Sequence, residues 1–105
     1  MQIGKEYLNW IYNTENVEDN YDVEYTNLPK EEIENQIKLG YLFDNLILEK
    51  GFFYEIEDGY FPKASVYFSI KDKFFKLSST NGFGRAESLE LLTKEEDKEK
   101  CKPLI

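Results

Sequence analysis

The stretch from Ala64 to Thr80 constrains the fold most, because it has the length and the alternation of a β-hairpin. Successive strand side chains point to opposite faces of a sheet. Folding the stretch back on itself therefore places five apolar side chains on one face: Val66, Phe68, Ile70, Phe75 and Leu77. An isolated hairpin is barely stable in water, so further strands or a covering helix must complete the structure.

The turn of this hairpin is less well specified than its faces. A two-residue turn at Asp72 and Lys73 places Ile70 opposite Phe75. Neither turn residue is the glycine that tight hairpin turns favour, so a longer loop over Lys71–Lys73 is the alternative. A slip of a single residue would mix the two faces, and the pattern therefore favours a register that keeps them apart.

Apolar residues at helical spacing precede the hairpin. They predict an amphipathic helix over residues 3–13 and a longer helix from Pro29 to Glu49, where the proline suits the first turn. Gly40 costs this second segment about 1 kcal/mol relative to alanine, so two shorter helices are the alternative. Gly51 is expected to adopt the left-handed conformation that ends a helix.

The longer helix is expected to cover the apolar face of the hairpin. Its apolar residues, with Ile37 and Tyr41 among them, continue as one stripe along the segment. The opposite face of the hairpin carries Tyr67, Phe74 and Lys76, and it is left to the first helix, to water or to a partner.

Two further strands are predicted on either side of the hairpin. Residues 52–57 and 86–92 alternate with a period of two, and the turn signals Asp58-Gly59 and Asn81-Gly82 separate them from the hairpin. Short local connections make all four strands antiparallel. Thr93 opens a capping-box pattern, so the tail forms either a short charged helix or a frayed end.

Helices followed by strands indicate an α+β fold, in a single domain over residues 1–105. Its parts are an N-terminal helix, one longer helix, an antiparallel meander of about four strands and a short charged C-terminal tail.

The net charge restricts the class of partner, and the N-terminal sequence and the cysteine content indicate the compartment. The formal net charge is −8, which disfavours direct binding to nucleic acid or to an anionic membrane and favours a basic protein partner. The N-terminal residues lack the basic and apolar regions of a signal peptide, and a single cysteine forms no internal disulfide. We therefore expect a cytoplasmic protein.

The residue types needed for common catalytic and metal sites are scarce. The chain has no histidine, which removes the usual general base and metal ligand. Cys101 lies between Lys100 and Lys102, which are expected to lower its pKa slightly, but no base accompanies it. The calcium-loop spacing beginning at Asn20 has a tyrosine where glycine is required. We predict no enzyme activity, no catalytic residues, no metal and no cofactor.

The acidic charge is concentrated in one region. Residues 15–34 contain eight acidic residues and one lysine, a net charge of −7, whereas the remainder has thirteen acidic and twelve basic residues. Tyrosines interleave with these carboxylates, and together they form the predicted partner-binding set: Glu15, Glu18, Asp19, Tyr21, Asp22, Glu24 and Tyr25. A solvated loop that keeps the protein in solution is the alternative interpretation.

Two hypotheses of function follow from this composition. The first is a small acidic protein that inhibits a basic partner, such as a nuclease, by occupying its nucleic-acid-binding or active-site cleft, as a toxin immunity protein or a phage anti-defence (anti-CRISPR) protein would. The second is a structural or regulatory subunit that forms a homodimer through a sheet face, with a second interface predicted at Tyr54, Tyr67, Phe74 and Lys76.

Overall fold

The computed structural model describes residues 4–18, 29–60, 62–80 and 88–104. Helices and strands follow one another in an α+β arrangement, as predicted. The elements in chain order are α1 (Lys5–Asn13), β1 (Asn16–Glu18), α2 (Lys30–Leu48), β2 (Tyr54–Glu57), β3 (Lys63–Ile70), β4 (Lys73–Thr80), β5 (Ser88–Leu91), α3 (Glu95–Lys98) and β6 (Lys102–Pro103).

The predicted four-strand meander is the centre of the sheet. Strands β2, β3, β4 and β5 pair antiparallel with their neighbours in sequence. Two short strands extend it: β1 lies antiparallel beside β5, and β6 lies parallel beside β3. The sheet is therefore mixed and not purely antiparallel. Strands β2 and β6 share one edge of β3, since β2 pairs with residues 63–66 and β6 pairs with Phe68 and Ser69.

The hairpin keeps its predicted faces but not its predicted register. Phe75 pairs with Phe68 and not with Ile70, and Lys73 pairs with Ile70. The turn is formed by Lys71 and Asp72, with Lys71 in the left-handed region at φ 54°. This moves the register by two residues, and a shift of two returns every side chain to its original face.

Contacts with the end of α1 accompany this turn. The Tyr12 hydroxyl donates a hydrogen bond of 2.6 Å to Asp72 Oδ1, and Lys73 Nζ donates one of 2.8 Å to the Tyr12 carbonyl oxygen. The ammonium groups of Lys71 and Lys73 also lie 5.3 and 4.5 Å from the centre of the Tyr12 ring. These contacts hold Asp72 in the turn, and the hydrogen bond from Tyr12 lowers the pKa of its carboxyl group.

One hydrophobic core lies between the sheet and the first two helices. The predicted hairpin residues line its floor, and α2 covers them, as expected. Helix α1 packs on the same side through Tyr7 and Ile11, so it does not cover the reverse face. Gly40 lies inside a single continuous α2, which rules out two shorter helices. The core comprises Tyr7, Ile11, Leu39, Leu42, Phe43, Leu46, Val66, Phe68, Ile70, Phe75, Leu77 and Leu89.

The C-terminal segment covers part of the reverse face. After β5 the chain forms the one-turn helix α3 and then reaches β3 through β6, where the Leu104 backbone N–H donates a 2.8 Å bond to the Ser69 carbonyl oxygen. Lys98 Nζ lies 5.5 Å from the centre of the Phe74 ring, and Lys100 Nζ lies 5.1 Å from that of Tyr67. This segment is therefore packed on the sheet and is not a frayed tail.

The two predicted helix ends have different outcomes. Gly51 has φ +96°, the left-handed conformation expected after α2. The capping box at Thr93 does not form, because α3 begins after Lys94 and no side chain caps it. None of the helices in the described ranges combines the length and the apolar composition that crossing a bilayer requires.

Candidate binding surface

The structure describes only the first part of the predicted acidic binding set. Glu15 is exposed in the short link between α1 and β1, and Glu18 ends β1. The rest of the set lies outside the described residues: Asp19, Tyr21, Asp22, Glu24 and Tyr25. Strand β1, which precedes Asp19, is held on β5. Val17 pairs with Leu89, and the Asn16 side-chain oxygen accepts a 3.1 Å hydrogen bond from the Leu91 backbone N–H.

The acidic region leads into the N-terminal turns of α2, and this helix exposes apolar residues. Ile37, Tyr41 and Leu48 are 54%, 58% and 84% exposed. Their separations of four and seven residues place them on one side of the helix, since a helix repeats every 3.6 residues. The residues of α2 that enter the core lie on the opposite side. Ile37 and Tyr41 therefore do not belong to the buried stripe, and that part of the prediction is wrong.

Two carboxylates lie on the same outward side. Glu34 and Asp44 are exposed, three residues before Ile37 and three after Tyr41. Five residues thus form a continuous row at alternating spacings of three and four, which we call the α2 seam: Glu34, Ile37, Tyr41, Asp44 and Leu48. The row extends over about 21 Å of helix.

The composition of the α2 seam suits recognition of a protein. Exposed aromatic and aliphatic side chains supply contact area, and flanking carboxylates favour a positively charged partner. Sequence reasoning missed Glu34, Asp44 and Leu48 as site residues. The sequence did contain a signal for Leu48. Ile37, Tyr41 and Leu48 share one side of a helix, and Leu39, Leu42 and Leu46 share the opposite side.

The predicted second interface is not a single surface. Tyr67 and Lys76 pair across β3 and β4 on the reverse face, whereas Tyr54 pairs with Val66 and lies on the helix side. Tyr67 is only 2% exposed, and Phe74 is half-buried beneath Lys98. The structure therefore separates Tyr54 from Tyr67, Phe74 and Lys76, and it buries Tyr67 almost completely.

A cluster of polar contacts holds Tyr67 in place. Its hydroxyl donates a short hydrogen bond to Glu55, whose other carboxylate oxygen lies 3.9 Å from Lys100 Nζ. Burial, followed by the contact with Glu55, raises the pKa of Tyr67 above its ordinary value. The phenol therefore stays protonated at neutral pH and remains a hydrogen-bond donor. This cluster stabilises the packing of the C-terminal segment on the sheet.

Cys101 belongs to the same packed segment. Its sulfur lies 3.8 Å from the carbonyl oxygens of Phe75 and Asp97. Burial raises the pKa of the thiol to about 11, so the expected lowering by the neighbouring lysines is wrong. A thiol that stays protonated at neutral pH is a poor nucleophile.

The described residues contain no cluster of side chains that could bind a metal ion. Within residues 4–18, 29–60, 62–80 and 88–104, no three acidic or thiol side chains come together to hold a metal ion. An open depression of about 580 Å³ beside β1 and β5 has these described residues in its lining: Asn16, Val17, Lys63, Ser88, Leu89 and Glu90. Among the described lining residues, Glu90 supplies a carboxylate.

Comparisons with known proteins identify no relative: no family model, curated protein or solved structure matches the chain.

Proposed function

We propose that this chain is a small, cytoplasmic, acidic binding protein that inhibits a basic protein partner without catalysing a reaction. The partner would be a nuclease or another nucleic-acid-binding enzyme. Inhibition would result from occupying its nucleic-acid-binding or active-site cleft, as a toxin immunity protein or a phage anti-CRISPR protein does. The supporting observation is the exposed α2 seam, whose first residue, Glu34, is also the last acidic residue of the stretch 15–34 in the sequence.

The two parts of this surface would contribute differently to binding. Residues 15–34 carry a net charge of −7 and would attract a positive cleft from a distance, which raises the association rate. Ile37 and Tyr41 follow within two helical turns and would supply contacts that exclude water, which lowers the dissociation rate. Carboxylates in the cleft would stand where phosphates of a nucleic acid bind.

The homodimeric subunit is the less favoured alternative. A dimer through the reverse face would require the α3–β6 segment to leave Tyr67, which is 2% exposed. A dimer of that kind would have no need of the acidic region, and its stability would change little with salt.

The proposal is tested by comparing the proteins captured by two variants with equal net charge. The first replaces Glu18, Asp19, Asp22 and Glu24 by glutamine or asparagine. The matched control replaces four exposed carboxylates elsewhere by glutamine: Glu90, Glu95, Glu96 and Glu99. Each variant and the unmodified chain are immobilised, incubated with a cell lysate and analysed by quantitative mass spectrometry.

We expect the unmodified chain and the control to retain a basic protein that the first variant loses. Salt at several hundred millimolar should release the same protein, because screening weakens attraction between exposed charges. The proposal is wrong if both variants capture the same proteins in equal amounts, or if the captured proteins are not basic.

A further inference from the structure

The outer edge of β2 is not paired with another described strand. In the sheet order β1-β5-β4-β3-β2, β2 is terminal and pairs only with β3, while β6 lies further along the same edge of β3. Its side chains are also accessible: Tyr54 is 49% exposed and Ile56 is 58% exposed. An accessible edge with apolar side chains is a template for another strand.

The hydrogen-bonding direction of β2 follows from one contact. The Phe53 carbonyl oxygen accepts a 3.1 Å bond from the Tyr67 backbone N–H, so the backbone groups of Phe53 point towards β3. Because these groups alternate along an antiparallel pair, those of Glu55 and Glu57 also point inward. The backbone N–H and C=O groups of Tyr54 and Ile56 therefore point outward, away from β3.

The two faces of this edge differ in chemistry. Tyr54 and Ile56 lie on the side of the sheet that carries the helices, and Glu55 and Glu57 lie on the reverse side. Glu55 already contacts Tyr67 and Lys100, whereas Glu57 is exposed and is followed by the exposed Asp58. The edge thus has an apolar face and an acidic face.

We propose that β2 binds an extended segment of a partner protein in which apolar residues alternate with lysine or arginine. The segment would add a strand to the sheet through the outward backbone groups of Tyr54 and Ile56. Its apolar residues would pack on the Tyr54 and Ile56 side chains, and its basic residues would lie opposite Glu55 and Glu57. Opposite charges in directly facing cross-strand positions are stabilising.

A second copy of this chain fits the same edge poorly. In a symmetric antiparallel pair that continues both sheets, facing residues must lie on the same face. Centring the pair on Ile56 brings Glu55 opposite Glu57, and centring it on Glu55 or Glu57 pairs that glutamate with its own copy. These registers place like charges directly opposite each other, which is destabilising. Centring it on Tyr54 avoids like charges, but Ile56 and Glu57 then lie opposite residues 52 and 51, which precede the strand. Charge complementarity therefore selects a basic partner segment over self-association.

The edge residues, Tyr54–Glu57, belong neither to the α2 seam nor to residues 15–34, so the inference does not rest on the proposed function. Its test uses the full chain and synthetic peptides. The probe is a peptide of alternating lysine and valine. A peptide of the same composition with all lysines first, and a peptide of alternating glutamate and valine, are the controls.

Amide hydrogen exchange measured by NMR gives the direct readout. The alternating lysine peptide should slow exchange at the Tyr54 and Ile56 amides, which point outward. It should leave the Glu55 and Glu57 amides unchanged, because they already face β3. Neither control peptide should protect any of the four. Equal protection by the scrambled peptide, or no protection at Tyr54 and Ile56, would overturn the proposal.

Three variants separate backbone pairing from charge and side-chain packing. Ile56→Pro removes one outward backbone N–H and leaves the hydrogen bonds to β3 in place. It should weaken peptide binding about tenfold, because the peptide loses one backbone hydrogen bond. Ile56→Ala keeps the N–H and should weaken it less. Glu57→Lys should bind the glutamate peptide better than the lysine peptide.

Light scattering of the unmodified chain measures whether it is a monomer or a dimer. A monomer is expected. A dimer that Ile56→Pro dissociates would assign this edge to a second copy and would overturn the inference of a basic segment. Thermal unfolding of each variant confirms that a loss of peptide binding does not result from unfolding.

Discussion

Replacing Phe75 by alanine is expected to lower the free energy of unfolding by about 3–5 kcal/mol, the usual cost of removing a fully buried phenylalanine. Phe75 is fully buried on the inner strand β4, and its ring stacks on that of Phe68 with centroids 5.5 Å apart. Because α2 covers this face, the structure has limited means of filling the cavity. Urea denaturation followed by circular dichroism measures the change.

Phe74 provides the matched control for this substitution. It is the next residue in β4 but points to the reverse face, where it is half-buried beneath Lys98. Phe74→Ala should cost about 1 kcal/mol, in proportion to the smaller apolar area that it removes from contact. Equal losses for the two variants would mean that the faces of the hairpin are assigned incorrectly.

Removing residues 94–105 is expected to have the second largest effect. The deletion removes α3 and β6, the bond from Leu104 to Ser69, and the cover over Tyr67. We expect a loss of about 3 kcal/mol in the free energy of unfolding, comparable to exposing one large apolar side chain. The same deletion should expose the aromatic reverse face and cause self-association, because exposed apolar patches promote contacts between molecules.

Denaturation and light scattering on the shortened chain check both expectations. Lys100→Met is the control, because it removes the ion pair with Glu55 but keeps the segment and most of its apolar stem. This variant should remain close to the unmodified chain in stability and in mass. A shortened chain with unchanged stability would contradict the role of the segment as the cover of Tyr67.

The alternation of side chains was sufficient to predict the hairpin faces but not its register. The faces depend on the period of two, which is visible locally in apolar residues two positions apart, such as Val66 and Phe68. The register depends on which residues form the turn. Here Lys71 adopts the left-handed conformation, and the sequence gives no sign of it because the residue is not a glycine. Contacts from Tyr12, about sixty residues earlier in the chain, accompany this turn, and a local pattern does not contain such contacts.

The apolar residues of α2 illustrate a second limit. A long helix with apolar residues at many phases has more than one potential buried face. The face of α2 that enters the core is selected by packing on the sheet, which lies far away in the sequence. In the structure that face excludes Ile37 and Tyr41, which are exposed. Site residues of the α2 seam could therefore be recognised only after the buried phase was known.

The short strands escaped prediction for a different reason. Strand β1 has three residues and β6 has two, so neither shows a measurable period, and Pro103 argues against a strand. Pro103 is tolerated because β6 is an edge segment. The burial of Tyr67 depends on this distant pairing, and for that reason the composition of the reverse face alone suggested an open interface.

Association and dissociation rates with the captured basic protein, measured at several salt concentrations, test the central proposal most directly. We predict that neutralising Glu18, Asp19, Asp22 and Glu24 slows association and reduces its dependence on salt, with little change in dissociation. Replacing Ile37 and Tyr41 by glutamine should instead speed dissociation and leave association unchanged. Association rates that are independent of salt, with neither variant altering either rate, would contradict a binding surface formed by the acidic region and the α2 seam.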